Sequence, residues 1–351
     1  MESILVNADY EIELFQGKKG SSLINKSLEF LALFLCDNPL FTRNTYPSEY
    51  LDHVEKLTGH RPVLVKSGPA SNWWGPLKNI EHERWMNSKL TSAELDLAHG
   101  WSEDLQIIRE SKDRARVKVP RQLLAKDAFG MSGMGLKAIR SIEDLHAIKS
   151  FPTILEPLLN RTHDFSHYLF PDGKCIAYQN LVDNKFQYRG TIFKNHLDPV
   201  ANQLSFKHLL SDAMWYEFNQ ALMIIKTHYM QKPLETGFSV DSFVYEEAGK
   251  HKIHILCEVN YRRTMGRVAY ELAGRFAKER PWCLFLLTRM DSVNFGLLQR
   301  EVSTLENVML LSPPEGRYQM FLLSAEDEEK GRDLFKALKQ LLPYCQFAVD
   351  I

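Results

Sequence analysis

Residues 239–259 constrain this chain more than any other stretch. Two apolar runs, 239–245 and 251–259, flank Glu246-Glu247-Ala248-Gly249-Lys250, which reads as the loop of a β-hairpin. Asp241 and Glu258 are set into these runs, and Asn260 directly follows the second. Side chains two apart on a strand share a face, so Glu258, Asn260 and Arg262 lie together and the hairpin can bring Asp241 beside them. Their neighbours, among them Phe243, Val244, Ile255 and Val259, are apolar, so the strands read as buried. A buried carboxylate is costly unless it is paired or bound to metal. Two carboxylates and an amide oxygen suit Mg²⁺, a hard ion that prefers oxygen. A salt bridge from Asp241 or Glu258 to Arg262 or Arg263 would satisfy the same groups, and spacing alone does not choose between these readings.

The second feature is a glycine loop, Lys126-Asp127-Ala128-Phe129-Gly130-Met131-Ser132-Gly133-Met134-Gly135. Glycines let backbone N–H groups converge on an anion with no Cβ in the way. The spacing is neither Gly-x-Gly-x-x-Gly nor a P-loop, and the flanks read as strands, so the segment is expected to be a hairpin flap. A glycine-rich hairpin with no ligand would look the same. A protein-kinase reading fails because no His-Arg-Asp loop exists and the glycine loop follows Lys66 instead of preceding it.

Periodicity supplies the rest of the layout. Strands are expected at 4–6, 11–15, 61–66, 106–109 and 121–125, through most of 153–192, and at 319–323. Helices are expected at 22–36, 48–57, 80–97, 141–149 (capped by Ser141), 208–230, 262–278 and 326–341. Asn72-Trp73-Trp74-Gly75-Pro76 reads as a packed aromatic corner. The pattern is α/β, and 351 residues suggest two or three lobes. The 43 Lys and Arg nearly balance the 44 Asp and Glu, which argues against a general phosphate-backbone binder. Five scattered cysteines with no Cys-x-x-Cys pair point to free thiols in a reducing compartment. The first residues show no basic region followed by a long apolar stretch, so the expected location is cytoplasmic, with no membrane or nucleic-acid partner.

Taken in order, these pieces resemble the ATP-grasp superfamily, whose members mostly join a carboxylate to an amine at the expense of ATP. The match runs from about residue 85 to 268. The resemblance implies an ATP-grasp-like region at 86–290, with a flap at about 105–156, a pre-ATP-grasp-like α/β lobe at 1–85, and an α/β tail at 291–351 packing on the body. It implies ATP and one or two Mg²⁺ ions as cofactors. Lys89 and Lys126 would neutralise phosphates, with Lys118 a rival to Lys89, and Gly130, Ser132, Gly133 and Gly135 would cradle them. Glu156, Leu158 and Leu159 would face the adenine from the hinge, and Asp164 would hold the ribose. Asp241, Glu258 and Asn260 would bind the metal, and Arg262 with Lys126 would act on the transferring phosphoryl group.

The sequence departs from the family pattern in two ways. The 17-position spacing from Asp241 to Glu258 implies a longer hairpin loop, and Ser239 stands where a basic residue is common, leaving Arg189 or Arg263 as substitutes for the substrate carboxylate's partner. The implied activity is ATP-dependent carboxylate–amine ligation of small molecules, amino-acid or peptide-like, through an acylphosphate. A carboxylate kinase or a non-catalytic ATP-binding scaffold would carry the same motifs. Oligomeric state is not legible.

Overall fold

In the computed structural model the described residues are 2–17, 23–119, 121–130, 136–289, 295–316 and 318–351. They build three sheets. The N-terminal sheet is parallel and made of very short strands, β1 (Ser3–Leu5), β2 (Leu40–Phe41), β3 (Leu64–Val65) and β4 (Ala70–Asn72), in the order β3-β2-β1-β4. The second sheet is antiparallel, with β5 (Gln106–Ile108), β6 (Leu123–Asp127), β7 (Leu136–Ile139) and β8 (Thr153–Pro157) in the order β5-β8-β6-β7. The third has eight antiparallel strands: β9 (Asn160–Leu169), β10 (Cys175–Val182), β11 (Tyr188–Phe193), β12 (Phe238–Glu247), β13 (Lys250–Asn260), β14 (Trp282–Arg289), β15 (Val308–Leu310) and β16 (Tyr318–Ala325). Their order is β13-β12-β9-β10-β11-β14-β16-β15, so strands of the tail extend the sheet that carries the hairpin. No helix among the described residues is long and apolar enough to cross a membrane.

Several sequence expectations need correction. Residues 11–15 are not a strand but part of the helix Tyr10–Gln16. The alternation Glu-Ile-Glu-Leu-Phe imitates period two, yet the face that is buried carries Tyr10, Glu11 and Leu14, and Gly17 in the left-handed region ends the helix. The stretch expected as one helix over 80–97 is two, Ile80–Asn87 and Lys89–His99. Ser88 is extended between them, and its hydroxyl caps the second by accepting from Leu90 N–H at 3.2 Å. The helix expected over 22–36 is also broken, into Leu23–Leu28, a 3-10 turn Glu29–Leu31 and Ala32–Leu35, and its residue 22 lies outside the described residues. Glu29 is buried there and accepts from the Thr42 and Tyr46 hydroxyls and from the Asn44 amide.

The hairpin is tighter than its spacing implied. Its turn is Ala248-Gly249, with φ of 52° and 72°, the left-handed pair that a two-residue hairpin turn requires. The 17-residue spacing is taken up by longer strands and by a bulge: Asp241 pairs with Glu258, but Phe243 already pairs with His254. Strand β14 escapes detection for the opposite reason. Seven of its eight residues are buried, so it shows no alternation.

The largest apolar core joins the N-terminal sheet, the helix Met265–Phe276 and strands β14 and β16. Within it Gly266 comes so close to Tyr178 that a Cβ would lie 2.1 Å from the ring. A second core lies under the helix Asp212–Tyr229, on β9, β12 and β13, and the second sheet has a small core of its own.

Candidate active site

The hairpin register sets the metal-ligand candidates side by side. Asp241 sits opposite Glu258, and Ser239 opposite Asn260, on adjacent antiparallel strands. Asp241 Oδ1 accepts from the Ser166 hydroxyl (2.7 Å) and the Ser239 hydroxyl (3.1 Å), while Oδ2 accepts from Asn260 Nδ2 (2.9 Å). Ser239, which stands where a basic residue was expected, thus serves the first carboxylate. Asn260 turns its oxygen to Arg262 Nη2, 2.9 Å away, and Arg262 Nε donates to Glu11 Oε1 at 2.9 Å. Lys89 Nζ reaches Glu258 Oε2 at 2.5 Å and donates to the Gly130 carbonyl at 2.6 Å. The broken helix makes this contact possible. Asn87 accepts from Tyr261 N–H at the end of β13, and Lys89 then begins a new helix directed at the hairpin.

The electrostatics follow from this crowding. Burial, then the neighbouring Glu258, pushes the Asp241 carboxyl up to about 6. Burial works on Glu258 in the same direction, but Lys89, with Lys126 and Arg262 behind it, outweighs burial and holds that carboxyl down at about 2. One carboxylate is therefore firmly ionised and its neighbour is held at the edge of ionisation, an arrangement that favours an added positive charge.

A cavity of about 240 Å³ opens over this cluster, between the hairpin and the N-terminal helix. Asp241, Glu258, Asn260 and Arg262 line one part, and Glu11, Trp74 and Met265 another. In the aromatic corner Trp74 is buried and also borders this cavity; its N–H donates to Asn7 Oδ1, and its carbonyl accepts from Arg263 N–H.

The flap residues gather at the other end. Lys126, on β6, forms an ion pair with Glu156, on β8, and lies 3.5 Å from Cys257 Sγ; both charged groups are buried. Burial alone would raise the Glu156 carboxyl, but Lys126, His254 and Arg161 together outweigh it and lower the pKa. Leu158 spends its N–H on the Gln122 carbonyl, and the Leu159 carbonyl accepts from Arg161 N–H. Ser132, Gly133 and Gly135 lie outside the described residues. Gly130 is described and held by Lys89, whereas Lys118 is exposed and its N–H is bound to Gln106.

Asp164 makes an ion pair with Arg161 at 2.9 Å. Arg161 was not singled out by the sequence, although its guanidinium lies 3.9 Å from the centre of the Phe243 ring and 4.8 Å from that of Phe186. Strict alternation would put residues 161 and 164 on opposite faces. A register irregularity, in which Val244 pairs with His163 but Tyr245 with Arg161, brings them to one side. Glu11 was missed as well, and its partner is 251 positions away. The two proposed substitutes for Ser239 are engaged elsewhere, Arg189 with Asp183 and Arg263 with Glu271 and the Trp73 ring. Among the described residues no group of three or more His, Cys, Asp or Glu forms a metal cluster, so an ion here would depend on the mixed set of two carboxylates and an amide.

No family profile matches the sequence, and no curated protein matches it. Solved structures do resemble it. N5-carboxyaminoimidazole synthase from Aspergillus clavatus, in complex with ADP and 5-aminoimidazole ribonucleotide, is 14% identical, with 88% of this chain and 82% of that one covered and a TM-score of 0.50. An ADP complex of N5-carboxyaminoimidazole ribonucleotide synthetase is 11% identical, over 90% and 93% of the two chains, at 0.52. The biotin carboxylase domain of Hydrogenobacter thermophilus 2-oxoglutarate carboxylase, crystallised with MgADP, ADP and bicarbonate, is 12% identical, over 93% and 80%, at 0.51. At such identities the likeness is one of architecture: this α/β chain has the ATP-grasp fold, preceded by an N-terminal lobe.

Proposed function

We propose that the protein is an ATP- and Mg²⁺-dependent ligase that joins a small carboxylate to an amine through an acylphosphate, releasing ADP and phosphate. The observation that carries this reading is the cluster Asp241, Glu258, Asn260 and Arg262 on the cavity floor, with Lys89 reaching it from the facing helix. The ADP-bound and MgADP-bound neighbours of the same fold support it.

The residues fit a divalent cation. Their donors are hard oxygens, and two facing carboxylates call for compensating charge. Asn260 would join them by turning its amide half a rotation, giving up both its Nδ2 bond to Asp241 and the bond its Oδ1 accepts from Arg262. Held by Asp241, Glu258 and Asn260, the cation would neutralise charge on the phosphates. Lys89 and Lys126 would hold the phosphates with the flap backbone at Gly130, Ser132, Gly133 and Gly135. Glu156, Leu158 and Leu159 would border the base, and Asp164, with its partner Arg161, the ribose.

The chemistry then needs no nucleophile from the protein. An oxygen of the substrate carboxylate attacks the terminal phosphorus of the co-substrate ATP, and the bond to the ADP oxygen breaks. Arg262 stabilises charge on the transferring group. The amine attacks the acyl carbon, losing a proton, and phosphate leaves. Hydroxylamine added to enzyme, ATP, Mg²⁺ and a panel of carboxylates tests this sequence. The expected product is a hydroxamate, formed at the expense of ATP only when the matching carboxylate is present. Hydroxamate formation with no amine condensed in its absence would mark a carboxylate kinase. Nucleotide binding with neither product would mark a scaffold and contradict the proposal.

A further inference from the structure

A second cavity, of about 370 Å³, lies behind the eight-stranded sheet. On β10, Tyr178, Asn180 and Val182 line the candidate active site, whereas Gln179 and Leu181 line this cavity, so the two open on opposite faces. Its floor is apolar, made by Leu181, by Ile192 on β11 and by Trp282 on β14, with Phe206 and Leu209 beside them. Its wall is mostly basic. Lys194, just after β11, and Arg332, in the helix Glu328–Leu341, both turn to the carboxylate of Glu328: Lys194 Nζ lies 3.1 Å from Oε2, and Arg332 Nη2 donates to Oε1 at 2.7 Å. Asp350, at the rim, is taken by Lys339. Two cations therefore share one counter-charge. They also keep donors in hand, because an ammonium has three N–H groups and a guanidinium five, and Arg332 Nη1 has no partner among the described residues. The Lys194 and Arg332 side chains are 26% and 47% exposed, so those donors are within reach of a ligand. His163 and His208 stand on the same wall, and burial together with His251, His208 and Lys194 holds the His163 imidazole below its ordinary range, the mark of a positive neighbourhood.

A phosphoryl group suits such a wall. Its three terminal oxygens can meet donors from several sides, where a carboxylate offers two, and at neutral pH a phosphomonoester carries about 1.5 to 2 negative charges. The apolar floor gives an organic body a surface to lie on, at Leu181 and Ile192. We propose that this cavity binds a small organic phosphomonoester, its phosphoryl group between Lys194 and Arg332 and its organic part on the floor. The phosphoryl oxygens compete with Glu328 for the two cations. The ligand lies on the other face of the sheet from Asp241 and Glu258, so it is neither the nucleotide nor a substrate of their chemistry, and the proposal stands whether or not the ligase reading does.

Calorimetric titration of the full chain with phenyl phosphate, benzoate and inorganic phosphate tests it, with Mg²⁺ and a non-hydrolysable ATP analogue present throughout to fill the front site. The wild-type protein is expected to bind phenyl phosphate at least about tenfold more tightly than either of the others, since benzoate lacks the phosphoryl group and inorganic phosphate lacks the ring. Lys194→Gln combined with Arg332→Gln should weaken phenyl phosphate binding by about tenfold or more. Glu328→Gln should act in the opposite direction and tighten it several-fold, because it removes the competing carboxylate. No binding of phenyl phosphate by the wild type, benzoate or inorganic phosphate bound as tightly, or an affinity that none of these substitutions moves would overturn the assignment. The wild-type comparison and Glu328→Gln decide the matter even if the double variant does not fold.

Discussion

Asp241 carries a charge that the folded chain resists. Its carboxyl is pushed up to about 6, against an ordinary value of 3.8, by burial and by Glu258. Between those values the folded protein binds a proton that the unfolded chain has released, so stability falls as pH rises across this window, and the full penalty stands above about pH 6. Asp241→Asn should therefore stabilise the metal-free protein by about 1–3 kcal/mol at pH 8 and change little at pH 3.5, measured by thermal melts. In the same melts Mg²⁺ should stabilise the wild type and leave the variant unmoved. Glu258 behaves oppositely. Its depressed pKa contributes stability above about 4.5 that is lost as pH falls toward 2. Lys126 and Glu156 pose a different test. Removing one partner of a buried pair strands the other, so Lys126→Met should cost about 3–5 kcal/mol in denaturant unfolding. Lys126→Met with Glu156→Leu should recover most of that loss while nucleotide binding stays weak.

Elements turn these residues toward one another, and two contacts make that dependence testable. Phe129, just before Gly130, stacks on Phe15 of the N-terminal helix with ring centres 4.1 Å apart, tying the flap to the helix that bears Glu11. Phe129→Ala should raise KM for ATP several-fold while shifting the melting temperature by only a few degrees, because the ring is 43% exposed. Gly266, at the start of the helix Met265–Phe276, leaves no room for a Cβ beside Tyr178, whose hydroxyl is 3.0 Å from that of Thr264, the residue capping that helix. Gly266→Ala should cost about 1–3 kcal/mol and weaken carboxylate binding more than nucleotide binding, as steady-state kinetics on the two substrates would reveal. The sequence is most legible at this level where one physical signal acts alone. The hairpin of β12 and β13 is visible because two apolar runs flank a glycine-containing turn. The helix Tyr10–Gln16 is hidden because its charges alternate as a strand's would, and Ser88's break is hidden because the apolar period continues across it. At Arg161 a bulge overrides alternation, and no local pattern announces a bulge.

For the whole molecule, the site draws on the N-terminal lobe and on both of the other sheets. Glu11 comes from the N-terminal lobe, Lys126 and Glu156 from the second sheet, and Asp241, Glu258 and Asn260 from the eight-stranded sheet. The cluster of Asp241, Glu258 and Asn260 was legible in the sequence because its members lie within one hairpin. The contact of Glu11 with Arg262 was not, because the two are 251 positions apart. Near-neutral overall charge conceals this local concentration of both signs, which suits a small ion and a phosphate chain better than a polymer. The central claim is that this concentration activates a carboxylate with ATP. Carboxylate-stimulated ADP release in Mg²⁺, compared between wild type and Glu258→Gln with circular dichroism to establish folding, tests it most directly. The account predicts a folded variant whose release falls by about 100-fold or more, since one of two anionic metal ligands is gone. A folded Glu258→Gln that turns over like the wild type would contradict it.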